Sequence, residues 1–302
     1  MKKEIIHPIV LDSSQQSILD MHSLLNILNI IVSELYILQI NTFFDNEIKE
    51  ALELNQSFAK DMYIKKARLK RFSMIDDFIK QNISHLEKFK EQLPNDKLEV
   101  YESSNSNLHS VFGILKTRIS EIMNRFDSEE RWIPHNISQL MTNFADVFAA
   151  IEKNSKGRYK IVYSNEEHDD NSYLVDLKIQ SGDSEVIYMP PVIQDVFRDL
   201  IANARKYTEI GGKISATLIN DGDNLTIEVK DTGVGIPDEQ IDLVVDFGYR
   251  ADNVLHLQTR GGGFGLTKAY QICKKNNGRF WIDSKIGQGT LVKIEIPVNK
   301  DE

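Results

Sequence analysis

The chain has 302 residues, of which 41% are hydrophobic, and its formal net charge is −9. The length predicts about two domains with ordinary cores, and the acidic charge argues against a general nucleic-acid binder, which would carry an excess of lysine and arginine. The single cysteine, Cys273, excludes an internal disulfide and any zinc site built from several cysteines.

The first residues and the distribution of apolar residues favour a cytoplasmic protein. Residues 1–8 lack the charged, apolar and small-residue regions of a signal peptide. No uninterrupted apolar run approaches the roughly 18 residues that cross a bilayer. We therefore expect a cytoplasmic chain without a membrane span.

Glycine placement divides the chain into two parts. Of 16 glycines, only Gly113 precedes residue 150. Because glycine is costly inside helices and useful in turns, the first part is predicted to form long helices and the second a mixed α/β fold. The junction is predicted at residues 154–157, which gives one domain over residues 1–154 and another over residues 155–302.

The first part predicts an antiparallel helical bundle. Asp12 can cap a first helix that ends near Asn41, and apolar residues at steps of three and four mark its buried face. A second helix over residues 46–92 would be roughly 70 Å long, which leaves room for a break. Shorter helices are predicted over residues 107–127 and 134–153. The buried stripe of the first helix consists of Leu24, Leu28, Ile31, Leu35 and Leu38.

The second part alternates strands and helices. Strands are predicted over residues 159–163, 174–179, 213–219, 225–230, 280–283 and 290–296, and helices over residues 191–207 and 266–276. The strands over 213–219 and 225–230 alternate apolar and polar residues and are joined by a polar turn. They are therefore predicted to form a hairpin with one solvated face.

Three polar side chains share one face of the helix over residues 191–207. Asp199, Asn203 and Lys206 are separated by four and three residues, a spacing that brings them together. The carbonyl oxygen of an asparagine suits magnesium, which takes oxygen ligands, and Lys206 supplies a positive charge for a phosphate. Taken alone, the pattern is equally typical of the polar surface of an ordinary helix.

The segment Asp231-Thr-Gly233-Val-Gly235 follows a predicted strand, 28 residues after Asn203. A carboxylate accepts hydrogen bonds and can receive one from the amino group of adenine. The two glycines let the backbone pass close beside the base. Alone, this is a common turn, but its place at a strand end makes it a candidate nucleotide site.

A glycine-rich segment, Gly261-Gly262-Gly263-Phe264-Gly265, enters a helix at Leu266. Consecutive backbone amides and a helix N-terminus attract anions such as phosphates. No lysine follows the last glycine, so the segment is not a P-loop, and it lacks the third glycine of a dinucleotide fingerprint. Without the other motifs, a flexible loop would explain it as well.

In this order and spacing, the three motifs resemble the ATP-binding domain of the gyrase, heat-shock chaperone and histidine kinase superfamily, and the histidine kinase branch fits best. The resemblance covers residues 155–298 well and residues 15–42 thinly. It implies an α/β sandwich of the Bergerat type after the helical bundle, so that the whole chain belongs to the α+β class. It also implies ATP and Mg²⁺ as cofactors.

The resemblance assigns a role to each site residue. Asn203 would ligate magnesium and Lys206 would contact a phosphate, while Tyr207 would lie near the nucleoside. Asp231 and Thr290 would contact adenine. The backbone beside the base and around the triphosphate would be supplied by Gly233, Gly235, Gly261, Gly263, Gly265 and Leu266.

A histidine kinase also needs an acceptor histidine. His22 and Asn26 begin a polar stripe on the otherwise apolar first helix, and the pattern His-x-x-x-Asn-x-Leu resembles the phosphoacceptor box of this family, in which the residue matching Asn26 positions water or the acceptor. Ser23 departs from the box, which usually has Asp or Glu directly after the histidine. His135 is a weaker second candidate.

The sequence therefore predicts a protein histidine kinase that transfers the γ-phosphoryl group of ATP to His22 and then to an aspartate of a response regulator receiver domain. The apolar stripe of the first helix is consistent with a homodimer, although a bundle within one chain would use the same stripe. Two alternatives stay open. One is a serine kinase of the anti-sigma type with Asp199 as its base, and the other is an ATP-binding docking module without catalysis.

Overall fold

The computed structural model describes residues 2–42, 46–125, 131–155, 157–256 and 262–298. The chain consists of two compact units, one formed by residues 11–126 and the other by residues 1–10 together with 127–302. The first unit is helical, and the second contains a seven-stranded sheet with helices packed on it. The predicted α+β class, with a helical part followed by an α/β domain, is confirmed.

The described residues of the helical unit form five α-helices. Their bounds are α1, Ser13–Thr42; α2, Asn46–Ala59; α3, Lys65–Phe72; α4, Ile75–Glu91; and α5, Leu98–Arg125. Asp12 caps α1 as predicted, because its Oδ1 accepts a 2.8 Å hydrogen bond from the Gln15 amide while the Gln15 side chain accepts one from the Asp12 amide. The predicted stripe is the buried face of α1, since all five of its members are at most 1% exposed. Helix α1 packs against α5 and α2.

The second predicted helix is broken into α2, α3 and α4. The first break contains Asp61, whose φ of +59° is incompatible with a continuing right-handed helix. The second break lies at Ser73, directly after the last residue of α3. The Ser73 amide donates a hydrogen bond to the Leu69 carbonyl oxygen. The break lets α2 and α4 pack together, and the buried Asn55 side chain donates a 2.6 Å hydrogen bond to Asn82 across them.

Helix α1 is the only helix among the described residues that is long and apolar enough to cross a membrane. Its best 18-residue window has a mean hydropathy of 1.6, and 33% of that window is buried inside the structure. A core helix passes the same test, so one such helix is weak evidence for a span. The expectation of no membrane span, like that of a cytoplasmic location, stays a prediction.

The α/β unit is built on one seven-stranded sheet. Its strands are β1, Lys2–Glu4; β3, Lys160–Val162; β4, Ser172–Gln180; β6, Lys213–Asn220; β7, Asn224–Asp231; β8, Arg279–Lys285; and β9, Gly289–Pro297. Their order across the sheet is β1-β8-β9-β7-β6-β4-β3. A second, two-stranded sheet pairs β2, Ile133–Asn136, with β5, Val186–Met189. Helices α6, Ile137–Asn154, α7, Val192–Tyr207, and α8, Gly265–Lys275, pack against the large sheet.

The boundary between the two compact units lies near residue 126 and not at residue 154, the predicted junction. Helix α6 belongs to the α/β unit because Phe144 and Phe148 lie in its core, and β2 before it pairs with β5. Residues 1–10 also belong there, since β1 pairs with β8 and Ile5 is fully buried. The helix predicted over residues 134–153 therefore completes the α/β unit and not the bundle.

Candidate nucleotide-binding site

The Asp231 carboxylate lies at the end of β7 and is only 8% exposed. Its Oδ1 accepts hydrogen bonds from the backbone amides of Gly233, at 2.8 Å, and Thr290, at 3.2 Å. Both of these bonds use the same oxygen, which leaves Oδ2 for another donor. Burial raises the pKa of Asp231 to about 6, although the two amide donors act in the opposite direction.

The turn after Asp231 is held close to the end of α7. The Val234 amide donates a 3.0 Å hydrogen bond to the Tyr207 carbonyl oxygen. A Cβ atom on Gly233 would lie 2.3 Å from that same oxygen, so no larger residue fits at this position. Gly235 has a φ of +71°, and its carbonyl accepts a 2.9 Å bond from Asn253. The predicted need for glycine here therefore has a specific cause, the close approach of two backbones.

Ser284 supports this part of the site and was missed by sequence reasoning. Its hydroxyl accepts a 2.9 Å hydrogen bond from the Ile236 amide and lies 2.8 Å from the Thr290 hydroxyl. Ser284 thus connects the Asp231 turn to the start of β9, where the Thr290 amide bonds to Asp231. A buried serine inside a strand is a weak sequence signal, because its partners come from two distant segments.

Helix α7 carries the predicted metal and phosphate residues. Asn203 is half-buried, and its Nδ2 lies so close to α8 that a Cβ atom on Gly265 would come within 2.6 Å of it. Lys206 places its ammonium 4.9 Å from the centre of the Tyr207 ring. Leu266 packs against the core of the unit. Two motifs that lie about sixty residues apart in the sequence therefore meet between α7 and α8.

Asp199 is engaged in an ion-pair cluster that the sequence did not reveal. The Lys268 ammonium lies 3.6 Å from the Asp199 carboxylate and 3.7 Å from that of Asp195, which also pairs with Arg198 at 3.5 Å. Asp195 and Lys268 are buried. One turn of helix separates Asp195 from Asp199, but nothing in the pattern indicates that a lysine on α8 lies opposite both.

The glycine-rich segment is described from Gly262 onward, and Gly261 lies outside the described residues. Gly263 has a φ of +75°, and a Cβ atom there would lie 2.6 Å from the Tyr249 carbonyl oxygen. Helix α8 begins at Gly265, and the Thr267 hydroxyl ties its first turn to the Asp246 carbonyl by a 3.0 Å hydrogen bond. The segment therefore ends in a helix N-terminus beside Asn203, a position that favours anions.

Residues 190–300 match the model of the family described as histidine kinase-, DNA gyrase B- and HSP90-like ATPase. This part of the chain is a domain of the histidine kinase-, gyrase- and HSP90-like ATPase type. The predicted resemblance is thereby confirmed for the domain that contains Asp231, Asn203 and the glycine-rich segment.

The curated relatives of this ATPase domain include sensor protein kinases. The chain is 34% identical over 110 residues to Sensor protein kinase WalK of Staphylococcus saprophyticus, a match that covers 36% of the chain and 18% of that relative. The WalK of Staphylococcus aureus is also 34% identical over 110 residues, which is 26% of its length. The chain therefore spans about a fifth to a quarter of these relatives.

Solved histidine kinase structures also resemble the chain. The catalytic domain of histidine kinase ThkA is 20% identical, with a TM-score of 0.40, and the match covers 55% of the chain and 95% of that domain. Full-length ShkA in complex with AMPPNP is 17% identical, with a TM-score of 0.42, and the match covers 68% of the chain and 40% of ShkA.

The predicted acceptor, His22, lies on α1 in the helical unit, outside the ATPase domain. Its Nε2 lies 3.0 Å from the Asn26 carboxamide nitrogen, and both side chains are half-buried. Because an amide nitrogen only donates, Nε2 is the acceptor and a neutral ring carries its proton on Nδ1. Ser23 accepts a 3.3 Å hydrogen bond from Arg118, a residue of α5 that is 5% exposed.

The second histidine candidate, His135, contacts neighbouring parts of the α/β unit through both of its ring nitrogens. Its Nε2 lies 3.1 Å from the Met189 carbonyl oxygen, and its Nδ1 lies 3.0 Å from the Gln194 side-chain nitrogen. Both ring nitrogens are thus used to join β2 to β5 and α7. His22 is the better acceptor candidate of the two.

Proposed function

We propose that this chain is a protein histidine kinase that binds Mg-ATP, transfers the γ-phosphoryl group to His22 and passes it to an aspartate of a response regulator receiver domain. The observation that carries the proposal is the convergence of three motifs within an ATPase domain: Gly233 lies against the end of α7, and Asn203, also on α7, lies against Gly265. One helix therefore connects the proposed adenine end of the site to the proposed phosphate end.

The adenine base is proposed to bind at Asp231. The ionised Oδ2 accepts a hydrogen bond from the exocyclic amino group, while Oδ1 stays occupied by the amides of Gly233 and Thr290. This fixed orientation distinguishes a base that carries an amino group from one that carries a carbonyl at the same place, because two acceptors would repel. Tyr207, beside the same turn, is proposed to contact the nucleoside.

The phosphates are proposed to bind between α7 and the N-terminus of α8. Lys206 supplies a positive charge, and the backbone from Gly263 to Leu266 supplies amide donors and the partial positive charge of the helix end. The donor set fits magnesium: Asn203 offers a half-buried neutral oxygen, whereas Asp199 is already paired with Lys268. When bound, magnesium neutralises charge on the phosphate oxygens.

The acceptor is proposed to react through Nε2 of His22. Asn26 must first release this atom, whose lone pair then forms the N–P bond while the bond from the γ-phosphorus to the bridging oxygen breaks and ADP leaves. The proton on Nδ1 afterwards leaves to a base or to water. Ser23 cannot supply that base, so we expect slow autophosphorylation compared with a chain that has Asp or Glu at this position.

A homodimer is proposed to form through the face of α1 that the bundle leaves open. The stripe from Leu24 to Leu38 is buried within the chain, but Ile30, Tyr36 and Ile40 on the same helix are 39%, 43% and 67% exposed. Exposed apolar residues along one helix are typical of a subunit contact. The receiver domain and a cytoplasmic location belong to the same proposal.

Incubation of the purified chain with γ-labelled ATP and Mg²⁺ tests the kinase proposal. We expect an acid-labile label on the wild type and on His109→Gln, a control at an exposed histidine of α5, and no label on His22→Gln. Acid-labile label on His22→Gln equal to the wild type would reject His22 as the acceptor.

The same experiment separates the alternatives. An acid-stable label that Asp199→Asn removes would indicate a serine kinase with Asp199 as its base. Tight ATP binding without any label would indicate a docking module.

A separate experiment tests the metal ligand. Asn203→Ala, measured by calorimetry, should weaken nucleotide binding only when Mg²⁺ is present, and unchanged affinity would reject Asn203 as a metal ligand.

A further inference from the structure

A second cluster of metal-ligand side chains lies in the helical unit. His85 on α4 points its Nδ1 at two carboxylates of α2, with Glu47 Oε2 at 3.0 Å and Glu50 Oε2 at 3.4 Å. All three ligand atoms lie within 4.8 Å of one another. Glu47 and Glu50 are separated by three residues and so share a helix face, whereas His85 comes from the neighbouring helix.

The two distances from the His85 ring nitrogen match those between ligand atoms in a metal coordination shell. In a tetrahedral zinc site with bonds of about 2.0–2.1 Å, neighbouring ligand atoms are about 3.3 Å apart. The two distances from His85 Nδ1, 3.0 and 3.4 Å, lie on either side of that value. A small shift of each side chain would therefore be enough to hold an ion.

The negative charge of the two carboxylates also favours a bound cation. Two carboxylates converge on one imidazole nitrogen, and the side chains of His85 and Glu47 are only 19% and 18% exposed. The negative carboxylates attract a positive charge, and Glu47 and the ring are largely shielded from water, while Glu50 is more exposed. A divalent ion would neutralise both carboxylates while the ring nitrogen serves as a ligand.

We propose that Glu47, Glu50 and His85 bind one divalent transition-metal ion, with Zn²⁺ favoured and water completing the coordination. One imidazole and two carboxylates suit zinc, whereas Mg²⁺ prefers oxygen ligands alone. The bound ion fastens α2 to α4 and so stabilises the helical unit. This site is independent of the ATPase domain and of the proposed kinase activity.

The test uses the full chain after treatment with a chelator, in the absence of nucleotide. Calorimetric titration with ZnCl₂ should give one site per chain and raise the melting temperature, and MgCl₂ should do neither at the same concentration. His85→Gln and Glu47→Gln should remove the site. Glu50→Gln, at a side chain that is 63% exposed, should lower the affinity at least about tenfold.

Matched controls come from neighbouring positions. Glu53→Gln on α2 and His109→Gln on α5 change exposed residues outside the cluster and should bind Zn²⁺ like the wild type. Circular dichroism of the metal-free variants checks that each is folded, and Glu50→Gln keeps the test decisive if a more buried variant unfolds. Absence of a site in the wild type, or wild-type affinity in Glu50→Gln and His85→Gln, would overturn the proposal.

Discussion

The Asn203 carboxamide lies directly against the backbone of Gly265, the first residue of α8. A Cβ atom at position 265 would lie 2.6 Å from Asn203 Nδ2 and 3.4 Å from Oδ1. The glycine therefore does more than permit a turn, because its missing side chain makes room for the proposed metal ligand. The polar face of α7 and the glycine-rich segment are separate motifs in the sequence, but at this contact the place of the Asn203 side chain depends on the glycine at position 265.

The first prediction is that Gly265→Ala weakens Mg-nucleotide binding. The added methyl group must displace the Asn203 side chain, and disturbing the support of a metal ligand typically costs roughly 10- to 100-fold in affinity. Calorimetry with a non-hydrolysable ATP analogue measures the loss. Gly113→Ala is the control, because a Cβ atom there meets nothing within 4 Å. Equal affinity in the two variants would contradict the role of this contact.

Burial of Asp231 has a cost in stability that depends on pH. Its pKa rises from 3.8 to about 6 on folding, so between these values the folded state binds the proton more tightly than the unfolded chain does. The free energy of unfolding therefore decreases, through this group, as the pH rises from about 4 to about 6. At 1.36 kcal/mol per pKa unit, the full cost at pH 7 is about 3 kcal/mol.

The second prediction follows for Asp231→Asn. The amide oxygen can still accept from Gly233 and Thr290, but the charge is gone, so the free energy of unfolding at pH 7 should rise by up to about 3 kcal/mol. Nucleotide binding should be lost, because an NH₂ group now faces the amino group of adenine. Urea unfolding at pH 4 and pH 7 measures the first effect. Asp183→Asn, at an exposed loop position, should change neither property.

Local patterns were sufficient to predict the central part of the ATPase domain. The alternating residues before Asp231 predicted the hairpin of β6 and β7, and the segment ending at Tyr207 predicted α7. Asn203 and Asp231 could be selected because their chemistry suits a nucleotide and their spacing matches a known family. These features depend on neighbours in the sequence or on a recurring motif.

Features that depend on distant partners were not predicted. Strand β1 consists of three residues with no strand pattern, and its existence depends on pairing with β8, about 280 residues away. The neighbours of Lys268 in the sequence do not indicate its ion pairs, because its partners, Asp195 and Asp199, lie on another helix, α7. The break after α2 uses a positive φ at Asp61, a conformation that a non-glycine residue adopts only when its surroundings favour it.

The third prediction concerns the buried ammonium of Lys268. Lys268→Met removes the ammonium that lies 3.7 Å from Asp195 and 3.6 Å from Asp199, and removal of one member of a buried ion-pair cluster typically costs about 3 kcal/mol. Chemical denaturation should therefore show a clear loss of stability. Lys275→Met, at an exposed position of the same helix, should unfold like the wild type. Equal midpoints for the two variants would mean that the cluster contributes little.

The fourth prediction concerns the acceptor helix and depends on the proposed kinase function. Arg118 already donates to Ser23, so a carboxylate at this position would have a buried cationic partner and would lie beside His22. A general base typically contributes a factor of about 10²–10⁴. Because Arg118 weakens the basicity of its partner, we expect Ser23→Glu to raise the initial rate of acid-labile labelling by at least about tenfold. Ser33→Glu, farther along α1, adds the same charge and should leave the rate unchanged. Equal rates in the two variants, with His22→Gln still unlabelled, would mean that the missing acid does not limit the transfer.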